Sequence, residues 1–433
     1  MFWCQFLSAF NDNFIKNALV IVILYKIAID NGPALVTLAG AALVVPGLVL
    51  SAIGGELADK FDKARVAERL KLAEIPIAIL AAIGFLMTAS DNPQIVWWSV
   101  PVLFSALVLF GALASLFGPI KYGILPDHLV VSQLPSANAL MEAATFFAIL
   151  GGTIAGGLVF AENGPVAALP AWVVATAMIV LAGLGWWSAA LIAPTGSGQP
   201  DLVITPNILG STIRLVSELR GNTSLWVGAL VVSWFWFAGI IALSLFPSLV
   251  KTHIGGDETV VTLGLAAFTI GIAIGSAVAA YFSHARPNLM LVPIGAVLMG
   301  VTAIDVAVAV AGLPEQVNPN KLMSVGSLLS NSSGVRLFAD LTALAAAGGL
   351  FIVPAFAAVQ SWAPKARRAR VIASVNILNA ALMTIATLGT TALQLVGISI
   401  PTLFIGLGIG NLFVALTIAK LWGLRGERAA AFE

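Results

Sequence analysis

Cysteine is nearly missing from this chain. Cys4 stands alone among 433 residues, which excludes an internal disulfide framework and any cysteine-cluster metal site. Histidine is almost as scarce: His128, His253 and His284 fall in polar breaks with no metal-ligand spacing between them, so no metal is expected. Charge is thin as well, at 9% of residues against 59% hydrophobic, with a mean hydropathy of +1.01. No soluble core can hide that much apolar surface, so lipid must be the main solvent. With a net charge of +1, no nucleic-acid partner is expected. The sequence also lacks a Gly-x-x-x-x-Gly-Lys-Ser/Thr phosphate loop, so an ATP-driven pump would need a separate subunit. Nor does a histidine sit five residues before an aspartate, as acyltransferase chemistry would require; His253 and Asp257 fall one residue short. The chain is therefore read as a non-enzyme without a cofactor.

What is present is apolar sequence in long runs. A spanning helix needs roughly 20 apolar residues, and about twelve such stretches follow one another at 3–28, 33–56, 70–90, 96–120, 136–160, 165–193, 223–250, 259–282, 288–312, 338–362, 371–396 and 399–423. Met1 runs into Phe2 and Trp3 without a basic leader or a small-residue cleavage site, so the first helix is expected to stay in the membrane. Basic residues in short loops are retained in the cytoplasm. Here they collect in alternate links: Lys60, Lys63, Arg65, Arg69 and Lys71; then Arg214, Arg220 and Arg286; then Lys365, Arg367, Arg368 and Arg370. The opposite loops hold little beyond Lys251, Lys321 and Arg336. Both termini are thus expected in the cytoplasm, which requires an even number of spans.

The longest polar break, 194–222, opens on Pro194-Thr195-Gly196-Ser197-Gly198. It continues with Ile208, Leu209, Ile213, Val216 and Leu219 opposed to Arg214, Glu218 and Arg220, the pattern of an interfacial amphipathic helix. It separates a bundle over 1–193 from a bundle over 223–433, each of six helices. A weak repeat supports the division, since Asn138, Gly151 and Thr153 recur at the same spacings as Asn376, Gly389 and Thr391. Two parallel six-helix halves are the architecture of the major facilitator superfamily.

Between the second and third spans, Gly54-Gly55-Glu56-Leu57-Ala58-Asp59-Lys60-Phe61-Asp62-Lys63 with Arg65 resembles that superfamily's cytoplasmic-loop motif. Small glycines permit close helix approach, Asp59 is placed to cap a neighbouring helix, and the basic residues are placed to pair across the bundle. Gly55, Asp59, Lys60 and Arg65 are the gating candidates. Glu56 and Glu74 flank this loop and are expected to pair with it. The corresponding loop of the second half, Ser283 to Asn288, is degenerate.

The first span carries Phe10-Asn11-Asp12-Asn13-Phe14-Ile15-Lys16-Asn17. Counting from Trp3, Asp12 lies roughly 13 Å into the bilayer, where an unpaired charge costs a few kcal/mol or more. Asp12 and Lys16, four residues apart, share a helix face and are expected to offset each other. With Asn11 and Asn13 beside them, these residues read as the lining of a substrate cavity. Lys121 ends the fourth span at the cytoplasmic interface, where a snorkelling side chain is an equal alternative. Glu142 lies roughly 9 Å inside the fifth span and needs a basic partner, with Lys16 or Lys121 the candidates. Asp305 and Asp340 lie towards the outer side and are read either as interfacial residues or as carboxylates coupling an ion. Paired tryptophans suit interfacial belts or packing, with Trp234 and Trp236 the candidates for acyl-chain contact.

Phe10-Asn11-Asp12-Asn13, Lys121-Tyr122-Gly123-Ile124-Leu125, Asn138-Ala139-Leu140-Met141-Glu142-Ala143 and the glycine run 151–157 together resemble the bacterial lysophospholipid transporter family. The resemblance covers most of the first half; in the second half Phe351-Ile352-Val353-Pro354, Asn376 and Asn379 carry it. It implies a twelve-helix major facilitator fold in the bacterial inner membrane. It also implies a flippase returning lysophosphatidylethanolamine and lysophosphatidylglycerol to the inner leaflet, where an acyltransferase and acyl-carrier-protein ligase, fused or separate, reacylate them. Membrane lipids are the other expected partners. By resemblance, Asp12, Lys121, Asn138 and Glu142 are the family's charged and polar positions. Members often carry an arginine in the seventh helix; here Trp234-Phe235-Trp236-Phe237 has no charge, and Lys16 is the candidate replacement. Two other readings remain open at this stage: a proton-coupled carrier of a soluble drug or metabolite, working through Asp12 or Glu142, and a non-transporting membrane scaffold for an acyltransferase.

Overall fold

A computed structural model describes residues 1–27, 32–129, 134–160, 168–196, 208–283, 288–313, 322–363 and 368–430. Among these the chain is helical, apart from turns and one isolated bridge between Gly256 and Met323. The helices run in order as α1 (Phe2–Ile21), α2 (Gly32–Lys60), α3 (Lys63–Met87), α4 (Pro93–Gly123), the short α5 (Leu125–His128), α6 (Leu134–Leu158) and α7 (Ala171–Ala190). They continue as α8 (Ile208–Arg220), α9 (Thr223–Leu249), α10 (Glu258–Ser283), α11 (Leu291–Ala311), the short α12 (Val325–Leu329), α13 (Ser332–Trp362), α14 (Arg368–Leu395) and α15 (Ile400–Ala430). Eleven helices among the described residues are long and apolar enough to cross a membrane. The remaining expected span falls on α6, whose apolar described part is Phe147–Leu158.

Helix α15 shows why lipid is the solvent. One stripe, Phe404, Leu407, Asn411, Ala415 and Ile418, is buried, while Ile405, Ile409, Phe413 and Leu416 on the other side are exposed. A helix in water turns a polar face outward; this one is apolar on both faces.

The chain divides into two compact units, Met1–Val216 and Ser217–Glu433. In unit 1, α1 packs on α6, α7 and α4, α3 packs on α7 and α4, and α2 packs on α4. In unit 2, α13 packs on α10, α11 and α9, α15 packs on α11, and α14 packs on α9. The first spanning helix of each unit runs on into a π-helical turn, Val22–Ile27 after α1 and Val250–Ile254 after α9. That shared irregularity is a structural counterpart of the sequence repeat. The amphipathic segment forms α8, with Leu219 buried and Ile213 and Arg214 exposed.

The third span starts earlier than its apolar run suggests. Asp62 caps α3, its Oδ1 accepting from the N–H groups of Ala64 (2.9 Å) and Arg65 (3.3 Å), so the helix begins at Lys63 and not near residue 70. Lys71, counted above with the basic link, therefore lies inside the helix, where Glu74, expected to pair with that link, meets it. The capping aspartate is Asp62; Asp59 is exposed at the end of α2. Asp62 also holds the start of the polar link after α7. Its carboxylate accepts from the Thr195 amide (3.3 Å), the Thr195 hydroxyl (3.2 Å) and the Gly196 amide (3.0 Å), where the chain turns through a left-handed φ of 77° at Gly196.

Partial desolvation works to raise the Asp62 pKa, but the N–H donors of Thr195, Arg65 and Gly196 and the Thr195 hydroxyl outweigh it and hold the group below its ordinary value. Its stabilising contribution is therefore complete above the ordinary carboxylate pKa of about 3.9 and is lost as pH falls through the lowered folded-state value. Asp62→Ala is expected to cost about 0.5–2 kcal/mol, as lost helix caps do, and to remove hydrogen-exchange protection at Thr195 and Gly196 at neutral pH. Exchange mass spectrometry of the two proteins checks this; unchanged protection would show that the carboxylate does not anchor the link.

Candidate functional site

Helix α1 is the polar element of unit 1, and glycines fix its position. On α6, a Cβ at Gly152 or Gly156 would collide with the carbonyl oxygens of Phe10 and Phe14 respectively, so only glycine lets the two backbones meet here. Polar side chains complete the attachment. Gln5 Nε2 donates to Thr145 Oγ1 (2.9 Å), Asn17 Nδ2 to Thr153 Oγ1 (3.2 Å) and Asn11 Nδ2 to the Met178 carbonyl of α7 (3.3 Å). Asn13 Nδ2 turns back to the Ala9 carbonyl (2.9 Å). Asn11 and Asn13, expected to line a cavity, thus use their amide N–H groups to hold or shape α1.

The expected Asp12–Lys16 pair does not form: no ion pair within 4 Å joins them among the described residues. The Lys16 ammonium lies 3.5 Å from Asn13 Oδ1. The buried ion pair of unit 1 is instead on α3. Lys71 and Glu74, 0% and 3% exposed at their side chains, pair directly. Ser8 of α1 completes the group, accepting from Lys71 Nζ (2.7 Å) and donating to Glu74 Oε1 (2.9 Å), while the ammonium sits 4.0 Å from the ring centre of Phe117 on α4. Three helices converge on this group. A sequence signal was available: Ala64, Ala67, Lys71, Glu74, Ala78, Ala81 and Phe85 form one buried stripe at three- and four-residue spacing, continuous with the helix that Asp62 starts. The charge-based reading of the loop absorbed Lys71 and concealed it.

Beside this group lies a cavity of about 80 Å³ lined by Gln5, Ser8, Asp12, Phe117, Gly118 and Lys121, among others. Lys121 thus contributes to a cavity wall and is half-buried, which fits the cavity reading better than a snorkelling one. Asp12 Oδ1 is buried and has no hydrogen-bond partner among the described residues. Most buried polar side-chain atoms have a partner, and leaving one unmet is costly. An acceptor and a cation in one small chamber suit a ligand carrying both a donor or positive group and an anionic one. Asn138 and Glu142 stand on α6, but their side chains lie outside the described residues.

Unit 2 holds a second cavity of about 100 Å³, apolar throughout, bounded by α9, α10, α11, α13, α14 and α15 and including Trp236, Gly239, Phe268 and Leu407. Trp236 therefore lines a cavity, as expected of an acyl-chain contact. Trp234 does not: its Nε1 donates to Asn411 Oδ1 (2.9 Å) and its ring stacks on Phe237.

In the last turns of α2, Gly54 and not Gly55 makes the close approach, against the Leu116 backbone of α4; a Cβ at Gly55 would meet nothing within 4 Å. The cross-bundle charge pair is Lys63 with Asp127 of α5 (2.8 Å). Lys60 lies 5.7 Å from the Phe61 ring and Arg65 is exposed. In unit 2, Asp305 accepts from Arg336 through both carboxylate oxygens, and Asp340 lies 3.9 Å from Arg336 Nε. Arg336, counted above only as a stray basic residue, is what gathers these two carboxylates.

The family model of the Major Facilitator Superfamily matches residues 1–315. The lysophospholipid transporter LplT of Serratia proteamaculans is 31% identical over 360 residues, 82% of this chain and 78% of that protein. The protein of the same name from Citrobacter koseri is 30% identical over 424 residues, 96% and 93% of the two chains. Among solved structures, a D-xylose–proton symporter aligns at a TM-score of 0.69 with 12% identity, covering 95% of this chain and 96% of that one. A peptide transporter in complex with sulfate aligns at 0.69 with 16% identity, covering 98% and 94%. At such identities these structures support the fold alone.

Removing one member of a buried ion pair typically costs 3–5 kcal/mol, because the other charge is stranded, whereas replacing both by apolar side chains is often neutral. Lys71→Met is accordingly expected to lower the melting temperature in detergent sharply, and Lys71→Met with Glu74→Leu to restore most of it. Equal loss in the single and double variants would show that Ser8 and the pair act as a required polar network.

Proposed function

Since the chain belongs to the major facilitator superfamily and, within it, to the lysophospholipid transporters, we propose that it carries lysophospholipids across the bacterial inner membrane by alternating access. The observation that carries this reading is the buried, unanswered oxygen of Asp12 in a chamber that also contains Lys121. A lysophosphatidylethanolamine headgroup presents an ammonium and a phosphate, and these match Asp12 and Lys121 in sign. Asn11 Oδ1, also buried without a partner, is a second acceptor for headgroup N–H or O–H donors. Lys16 stands on α1, which lines this chamber, and Glu142 on α6, which packs against α1; both are assigned to the same site.

The direction of transport in this reading is from the outer to the inner leaflet, with both termini in the cytoplasm and the bundles 1–193 and 223–433 joined by 194–222. The returned lysolipid supplies an acyltransferase, fused or separate, so this chain acts as carrier and not as catalyst. The loop containing Asp59, Lys60 and Arg65, held by Asp62 and by the Lys63–Asp127 pair, serves as the cytoplasmic gate. Asp305 and Asp340 need no coupling role, because a lysolipid moving down its own gradient requires no ion. Their joint attachment to Arg336 fits a structural fastening of α11 to α13.

Reconstitution in liposomes tests the reading. Wild-type protein is expected to move labelled lysophosphatidylethanolamine between leaflets above protein-free liposomes. Asp12→Asn should lower that flux by roughly ten- to a hundredfold, the equivalent of the 1.5–3 kcal/mol of a charged hydrogen bond. Lysophosphatidylglycerol, which offers hydroxyls and no ammonium, should lose less, since an amide oxygen still accepts from a hydroxyl. Absence of flux in the wild type would overturn the cargo assignment; a loss dependent on a pH gradient would favour a proton-coupled carrier.

A further inference from the structure

Ser8 touches both the buried ion pair of unit 1 and the chamber beside it. A serine hydroxyl has one proton to give and two lone pairs with which to accept. Its partners fix the direction of each bond here. An ammonium has no lone pair, so Ser8 Oγ must accept from Lys71 Nζ (2.7 Å); an ionised carboxylate has no proton, so Ser8 must give its own to Glu74 Oε1 (2.9 Å). One lone pair is left over. Towards the chamber, Ser8 can therefore only accept.

A serine without such neighbours turns its proton to whatever acceptor is nearest, often a carbonyl one turn back along its own helix. The ion pair removes that freedom. Lys71 and Glu74 do not line the chamber themselves, and they bear on it through Ser8 and through the Phe117 ring that lies over the ammonium. Gln5, Ser8 and Asp12 follow at three- and four-residue spacing and share one face of α1. The committed acceptor of Ser8 thus stands one turn before the carboxylate of Asp12, whose Oδ1 is buried without a hydrogen bond among the described residues.

We propose that Ser8 determines headgroup specificity: held as an acceptor by Lys71 and Glu74, it takes headgroups that end in N–H or O–H donors and turns away those that end in acceptors alone. The inference rests on the lysolipid reading above. A primary ammonium or a glycerol hydroxyl bonds to Ser8, whereas an ionised phosphate monoester meets it lone pair to lone pair. Lys71 and Glu74 are positioning residues in this scheme, acting through the direction of one O–H bond.

The test measures binding of labelled lysophosphatidylethanolamine and lysophosphatidic acid to the full chain in nanodiscs at about pH 8, where a phosphate monoester is a dianion. Ser8→Ala is expected to weaken lysophosphatidylethanolamine binding about tenfold, the loss of one hydrogen bond to a charged group, and lysophosphatidic acid binding by less than about twofold. Ser8→Thr keeps the hydroxyl and should retain most of the wild-type preference. Lys71→Met with Glu74→Leu frees the Ser8 proton and should shift the preference towards lysophosphatidic acid by about threefold or more, a change that lost packing alone would not produce. Melting temperatures are taken alongside; if the double variant melts early, the comparison of Ser8→Ala with Ser8→Thr decides. Equal weakening of both lipids in Ser8→Ala, or an unchanged preference in a double variant as stable as wild type, would overturn the role of Ser8 and leave the lysolipid reading standing. A wild type that binds neither lipid would reject that reading and this inference with it.

Discussion

Inside a bilayer no water is at hand to answer a polar group, so each one in a spanning helix must find its partner in the protein or forfeit several kcal/mol. The arrangement of unit 1 follows from that constraint. Helix α1 carries a run of polar side chains, and nearly all of its amides are committed: Gln5 and Asn17 to α6, Asn11 to α7, Asn13 to its own backbone. Glycines on α6 bring the backbones close enough for those bonds to form. The charges of Lys71 and Glu74 are likewise closed on each other through Ser8. Among the described residues, Asp12 Oδ1 and Asn11 Oδ1 are the oxygens of this helix that are buried without a hydrogen bond.

The two units answer the constraint differently. Unit 1 contains a small polar chamber with an acid and a base in its wall; unit 2 contains an apolar chamber whose nearby amides and indoles are tied to one another. The Lys71–Glu74 pair, although buried nearby, is a poor candidate for binding, because the two charges meet each other and Ser8 bridges them.

Some of this was open to a reader of the sequence. Apolar runs of spanning length, the loop after the second span and the six-plus-six division all follow from composition and periodicity, because lipid imposes one length and one polarity on every span. The amphipathic character of α8 was legible for the same reason. Misreadings arose where two local rules competed. The basic run from Lys60 to Lys71 suggested a loop because charge dominates hydropathy, yet Asp62 is a strong cap and the helix begins beside it. Asp12 and Lys16 suggested a pair because four-residue spacing brings side chains together, yet the Lys16 ammonium turned to Asn13 instead.

The sequence alone determined that this chain is a membrane carrier of the major facilitator fold, and it offered Asp12, Lys121 and Trp236 as candidates for facing cargo. Only the tertiary structure decided which charges cancel and which remain open. That outcome depends on contacts between distant helices: Ser8 with Glu74, Lys71 with Phe117, and Asp12 with no hydrogen-bonding neighbour on its buried oxygen. Whether an intramembrane charge holds the fold or awaits a ligand is set by what packing leaves beside it, which no single helix encodes.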